Sequence, residues 1–117
     1  MTKRILGAAI FCAVQMAFAA PAWAAPTTGA INADGTKQVA SAKYTVSHPG
    51  TGHYIVTFKV PYTPIPICTV NPLPNVYGQV ITVQAIFETS TTCEFYFANG
   101  ASPFDAVFNF MALQATH

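Results

Sequence analysis

Four carboxylates, three histidines and two cysteines lie beyond residue 25, and these are the side chains with reactive chemistry. Glu88 and Glu94 flank one turn, Glu88-Thr89-Ser90-Thr91-Thr92-Cys93-Glu94. Two carboxylates brought together can divide acid and base work on a glycosidic bond. Both fall in polar or outward-facing positions, which reads as solvated surface. His48 and His53 bracket a Pro-Gly loop, whereas His117 ends the chain. A metal site needs three or four converging ligands, and strand pairing does not set the two loop histidines opposite each other. No serine or cysteine sits in a nucleophile elbow, and no glycine-rich phosphate cradle is present. The expectation is a protein that is not an enzyme, with no catalytic residue, no metal and no cofactor.

Cys68 and Cys93 are the only cysteines beyond residue 25. In an oxidising compartment two such cysteines allow one intramolecular pairing, so a Cys68–Cys93 disulfide is expected. Free thiols or an intermolecular bond are the alternatives.

The start of the chain predicts that compartment. Met1-Thr2-Lys3-Arg4 is a short basic segment, Ile5–Ala20 is apolar except for Gln15, and Ala22 and Ala24 supply the small residues of an export cleavage site. The apolar run of 16 residues is short for a membrane span of about 20. Residues 1–25 therefore read as a cleaved signal peptide, helical before removal, and the protein as secreted or periplasmic. Removing 25 of the 117 residues leaves 92, one domain's worth. This part carries Lys37, Lys43 and Lys59 against Asp34, Glu88, Glu94 and Asp105, a net charge of −1. It has no basic patch, which disfavours nucleic acid and anionic membranes as partners.

Tyrosines and amides offer a different chemistry. Tyr62, Tyr77, Asn75 and Asn99 lie in or near loops, where binding residues concentrate. An exposed tyrosine can stack on a sugar ring while neighbouring amides bond its hydroxyls. These four are the candidate ligand-binding residues.

The elements that must position them read as strands throughout. Residues 26–117 are rich in Val, Ile, Thr, Phe and Tyr, with turn signals every ~8–12 residues, the spacing of a small antiparallel β-sandwich of about 6–8 short strands. Short strands are expected over 27–33 and 36–41. Residues 43–47 and 53–60 alternate as a hairpin, and pairing Ser47 with His53 sets Val46 opposite Tyr54, Tyr44 opposite Val56 and Ala42 opposite Phe58. Pro61, Pro64 and Pro66 mark an edge or crossover. Ile67–Val70 is a short strand and 71–75 a turn. Residues 79–87 form the longest strand, with Ile81, Val83, Ala85 and Phe87 inward. Cys93, Phe95 and Phe97 alternate inward on the next strand, and 106–115 close the domain. The later strands carry apolar residues on both faces, which predicts a second buried surface at a subunit interface.

Several segments carry a resemblance: Gly29-Ala30-Ile31, Asp34-Gly35-Thr36, Tyr44-Thr45-Val46, Thr51 through Phe58, Val60-Pro61-Tyr62 with Pro64 and Pro66, and Asp105 through Ala112. Together they resemble small β-sandwich domains of short exported bacterial proteins and of the ends of collagen-like and phage tail-fibre proteins. The strand–proline–strand layout and closing strand are similar to H-type lectin domains, six-stranded sandwiches that trimerise and bind carbohydrate. The resemblance implies a lectin-like binding or surface-interaction module, recognising a glycan or cell-surface component, and a homotrimer. A structural subunit packing through its apolar outer face is the other function class, with a small secreted hydrolase or inhibitor third.

Overall fold

A computed structural model describes residues 25–115. The helical signal segment expected before them lies outside the described residues. The described chain is all-β, with eight strands: β1 (Thr27–Ile31), β2 (Tyr44–Gly50), β3 (His53–Phe58), β4 (Ile67–Leu73), β5 (Ile81–Glu88), β6 (Thr92–Asn99), β7 (Ser102–Pro103) and β8 (Val107–Leu113). They form two antiparallel sheets. One has the order β1-β8-β4; the other runs β2-β3-β6-β5, with the short β7 also pairing β6.

The inner faces of the two sheets meet in one core. Period-two alternation sends Tyr54, Val56 and Phe58 from β3, Cys93, Phe95 and Phe97 from β6, and Phe108, Phe110 and Ala112 from β8 into it. Aromatic edges join the sheets: Tyr54 to Phe108 at 4.9 Å, Phe95 to Phe108 at 5.7 Å and Tyr44 to Phe110 at 5.1 Å between ring centres. The expected Cys68–Cys93 disulfide is present and ties β4 of one sheet to β6 of the other. Its Cα atoms are 6.2 Å apart, inside the span a disulfide bridges without moving the backbone.

Four expectations need correction. The β2–β3 hairpin pairs Tyr44 with Phe58, Val46 with Val56 and Gly50 with His53. This is two residues from the register expected from pairing Ser47 with His53. A slip of two leaves every side chain on its own face, so alternation cannot distinguish the registers. The turn itself decides: Thr51 and Gly52 alone connect the strands, and Gly52 adopts a φ of 70°. In β5 a bulge at Gln84 interrupts the pairing with β6. Val83 still pairs with inward Phe97, but beyond the bulge Phe87 pairs with outward Glu94, so Ala85 and Phe87 are not on the core face. The strand expected over 36–41 is reduced to one bridge, Ile31 to Lys37. The turn expected at 71–75 also begins later, because β4 continues through Pro72 to Leu73; β4 is an edge strand, where proline is tolerated.

Candidate functional site

Two of the four residues singled out in the sequence, Tyr77 and Asn99, line one hollow, and Asn75 lies at its margin through a backbone bond to Gln79. The loop between β4 and β5 and the end of β6 enclose an open hollow of about 650 Å³, lined by Tyr77, Gln79, Val80, Thr82, Asn99 and neighbours. Two glycines make this shape: Gly78 and Gly100 have φ values of 85° and 65°, which bend the backbone beside Tyr77 and Asn99. Tyr77 is fully exposed, at 106% relative accessibility. Asn75 closes the loop by donating its backbone N–H to Gln79 Oε1 at 2.8 Å. Among the described residues the Tyr77 hydroxyl and the Asn99 amide have no protein hydrogen-bond partner. An aromatic plane thus stands beside uncommitted donors and acceptors.

Tyr62 does not join them. It is 2% exposed, packed edge-on against Phe58, with its hydroxyl within bonding distance of Thr27 Oγ1 (2.8 Å) and the Ala25 and Ala112 carbonyls (3.0 and 3.3 Å). Its hydroxyl ties the start of β1 to β8, away from Tyr77 and Asn99, and Tyr62 lines a different hollow of about 420 Å³ with Ala25, Lys43 and Lys59.

The titratable groups form two separate networks. His48 Nε2 lies 2.8 Å from Asp105 Oδ1, which also accepts the Gly52 N–H at 2.7 Å. The His48 ring stacks on Tyr54 at 4.4 Å. On the outer face of the larger sheet, His53 Nε2 bonds Glu94 Oε2, and Tyr96 donates its O–H to the same oxygen at 3.0 Å. His53 stacks on Tyr96 at 4.2 Å, with Phe87 edge-on to Tyr96 at 5.9 Å. Sequence spacing does not reveal these networks, because the partners are 41 and 57 residues apart. Glu88 turns the other way and accepts the Cys68 N–H at 2.7 Å. Glu88 pairs with inward Cys93 and Glu94 with outward Phe87, so the two carboxylates lie on opposite faces of the sheet and do not act on one substrate. Among the described residues no group of three or more His, Cys, Asp or Glu converges to hold a metal ion.

No family model, curated protein or solved structure matches this chain. Its chemistry is therefore read from its own geometry. The disulfide is compatible with an oxidising, extracellular compartment, and no helix among the described residues is long and apolar enough to cross a membrane.

Burial sets one pH response. It pushes the Tyr54 hydroxyl well above its ordinary value of 10.0, with the Asp105 charge adding to the effect, and it raises Tyr44 as well. In the unfolded chain both ionise near pH 10, whereas the folded protein holds them protonated. The stability they contribute is complete below about pH 10 and is lost as pH rises through the folded values. Denaturant midpoints should therefore be flat across neutral pH and fall above about pH 10, with tyrosinate absorbance from Tyr54 appearing together with unfolding. Ionisation of all buried tyrosines before any loss of structure would contradict this reading.

Proposed function

We propose that this protein is an exported, non-enzymatic β-sandwich binding module that recognises carbohydrate at the Tyr77–Asn99 hollow. One observation carries the reading: a fully exposed tyrosine stands beside an amide with no protein partner, in a hollow with glycine-bent walls. Sugars present an apolar ring face and a rim of hydroxyls, and an aromatic plane flanked by amides complements both. The site sits on loops held by paired strands, the usual arrangement for binding surfaces. All four carboxylates are already engaged, Asp34 by Thr36, Asp105 by His48 and Gly52, Glu94 by His53 and Tyr96, and Glu88 by Cys68, which favours a binding role over hydrolysis.

The test is retention on an array of immobilised glycans. Tyr77→Ala should weaken retention of any bound glycan by about tenfold, the loss of a single stacking contact. Asn99→Ala should weaken it further, and Thr45→Ala, on the distant β2, should leave it unchanged. Equal retention by wild type and Tyr77→Ala contradicts the assignment.

A further inference from the structure

The four outer edges of the two sheets are not alike. On β1, Gln38 donates its N–H to the Ala30 carbonyl at 2.9 Å and Lys37 bridges Ile31, so the following segment covers that edge. On β2, residues 35–42 share a hollow with Thr45 and Val46, the Lys37 ammonium lies 4.8 Å over the Tyr44 ring, and Pro49 removes a donor. On β4, Pro72 lacks an N–H and Glu88 occupies that of Cys68. These are the usual ways in which a sheet edge is kept from pairing with another chain.

β5 has fewer of them: β4 lies beside its Glu88 end without pairing, and the rest of its outer side carries none. Ile81-Thr82-Val83-Gln84-Ala85-Ile86-Phe87-Glu88 contains no proline and no lysine. Its single charge, Glu88, is directed to the Cys68 N–H. It terminates the larger sheet, so one side of its backbone has no strand partner. Of the eleven large hydrophobic side chains exposed among the described residues, six lie between 76 and 87. An unprotected, apolar edge of this kind is a template for one more strand.

We infer that β5 pairs antiparallel with β5 of a second copy of this chain, joining two five-stranded sheets across a two-fold axis between Gln84 and Ala85. The bulge selects the copy as the occupant. In a regular strand, residues three apart point to opposite faces. Here the extra residue puts Val83 and Ile86 on the same side, because they pair with inward Phe97 and inward Phe95. A two-fold axis between 84 and 85 sets Val83 of one chain against Ile86 of the other, twice. These two side chains are 36% and 37% exposed in the single chain. The same axis sets Thr82 against Phe87, both on the outer side by their pairing with Ala98 and Glu94, and Ile81 against Glu88, both on the inner side. The two Glu88 carboxylates fall at opposite ends of the joint, so no like charges meet. Such an isologous contact closes at two copies.

Light scattering after size exclusion, over a range of protein concentrations, reads the outcome, with amide hydrogen exchange locating it. A dimer whose 81–88 amides gain protection as concentration rises supports the inference. Phe87→Lys and Ile86→Lys should each raise the dissociation constant at least about tenfold, since lysine on an edge strand opposes further pairing. Wild-type circular dichroism of either variant shows that the fold is kept, and one folded variant suffices. A monomer at every concentration, a trimer, or a dimer in which 81–88 exchange as in the monomer would each overturn it.

Discussion

Gly52→Ala should be strongly destabilising. Gly52 sits at φ 70°, a conformation that costs an alanine about 1 kcal/mol before any contact is counted. An added Cβ would lie 2.5 Å from the Phe97 carbonyl oxygen and 2.9 Å from the Phe104 nitrogen. Both are backbone atoms, and the Phe104 N–H is itself bonded to that carbonyl at 3.1 Å, so neither can retreat alone. Gly52 also donates its N–H to Asp105 and accepts the Phe97 N–H at 2.7 Å. Moving it loosens the β2–β3 turn, the β6–β7 junction and the approach to β8 together. A loss of roughly 3–5 kcal/mol is expected, against a total of roughly 5–10 kcal/mol for a domain of this size. Gly50 supplies the control. It ends β2 without a positive φ, and an added Cβ there has nothing within 4 Å. Gly50→Ala should move the denaturant midpoint by no more than about 0.5 kcal/mol equivalent. Equal midpoints for the two alanine variants would contradict the packing described around the turn.

Removing the disulfide comes next in size. Cys68 and Cys93 are separated by 25 residues, and closing a loop of that length stabilises by about 3–4 kcal/mol on the chain-entropy model. The bond also has a particular place in this fold. β4 is an edge strand whose only ladder is with β8, and the disulfide is its covalent tie to the opposite sheet. A Cys68→Ala/Cys93→Ala protein, or the wild type under reductant, should unfold at a midpoint lower by that amount. The loss should appear first as faster amide exchange in β4. An unchanged midpoint under reductant, with the bond shown to be broken, would contradict the staple role. A domain this small buries too little surface to dispense easily with such support.

What the sequence made legible follows the strength of its alternation. β3 and β6 bury one face against the opposing sheet, so Tyr54, Val56, Cys93, Phe95 and Phe97 were readable as inward residues, whereas β8 is apolar on both faces and only the fold shows that Phe108 and Phe110 are the buried ones. β5 is an edge strand, partly covered, and its bulge inverts the pattern midway. Nothing in Ile81–Glu88 marks the bulge, because Gln84 and Thr82 are both polar and their neighbours on either side are apolar. The hairpin register failed for a related reason: a slip by two preserves the faces, and only the close fit of Gly52 against Phe97 and Phe104 fixes it. Among the candidate binding residues, Tyr77 and Asn99 were legible from the glycine that follows each, and Asn75 from the Pro72–Pro74 turn before it. Tyr62 had the same surface signature, between Pro61 and Thr63. Its burial depends on Thr27 and Ala112, which the chain brings from 35 and 50 residues away. The His48–Asp105–Gly52 and His53–Glu94–Tyr96 networks likewise exist only once β3 lies beside β6 and the segment before β8 folds back on the hairpin.

The central claim is recognition at the Tyr77–Asn99 hollow, and the most direct test is amide shift mapping by NMR during titration with a glycan selected on the array. The account predicts that the largest shifts fall on residues 76–82 and 99–100, and that they disappear in Tyr77→Ala while the rest of the spectrum is retained. Shifts centred elsewhere, such as on His53, Phe87 and Tyr96 at the outer face, or no saturable shifts with any glycan, would contradict it.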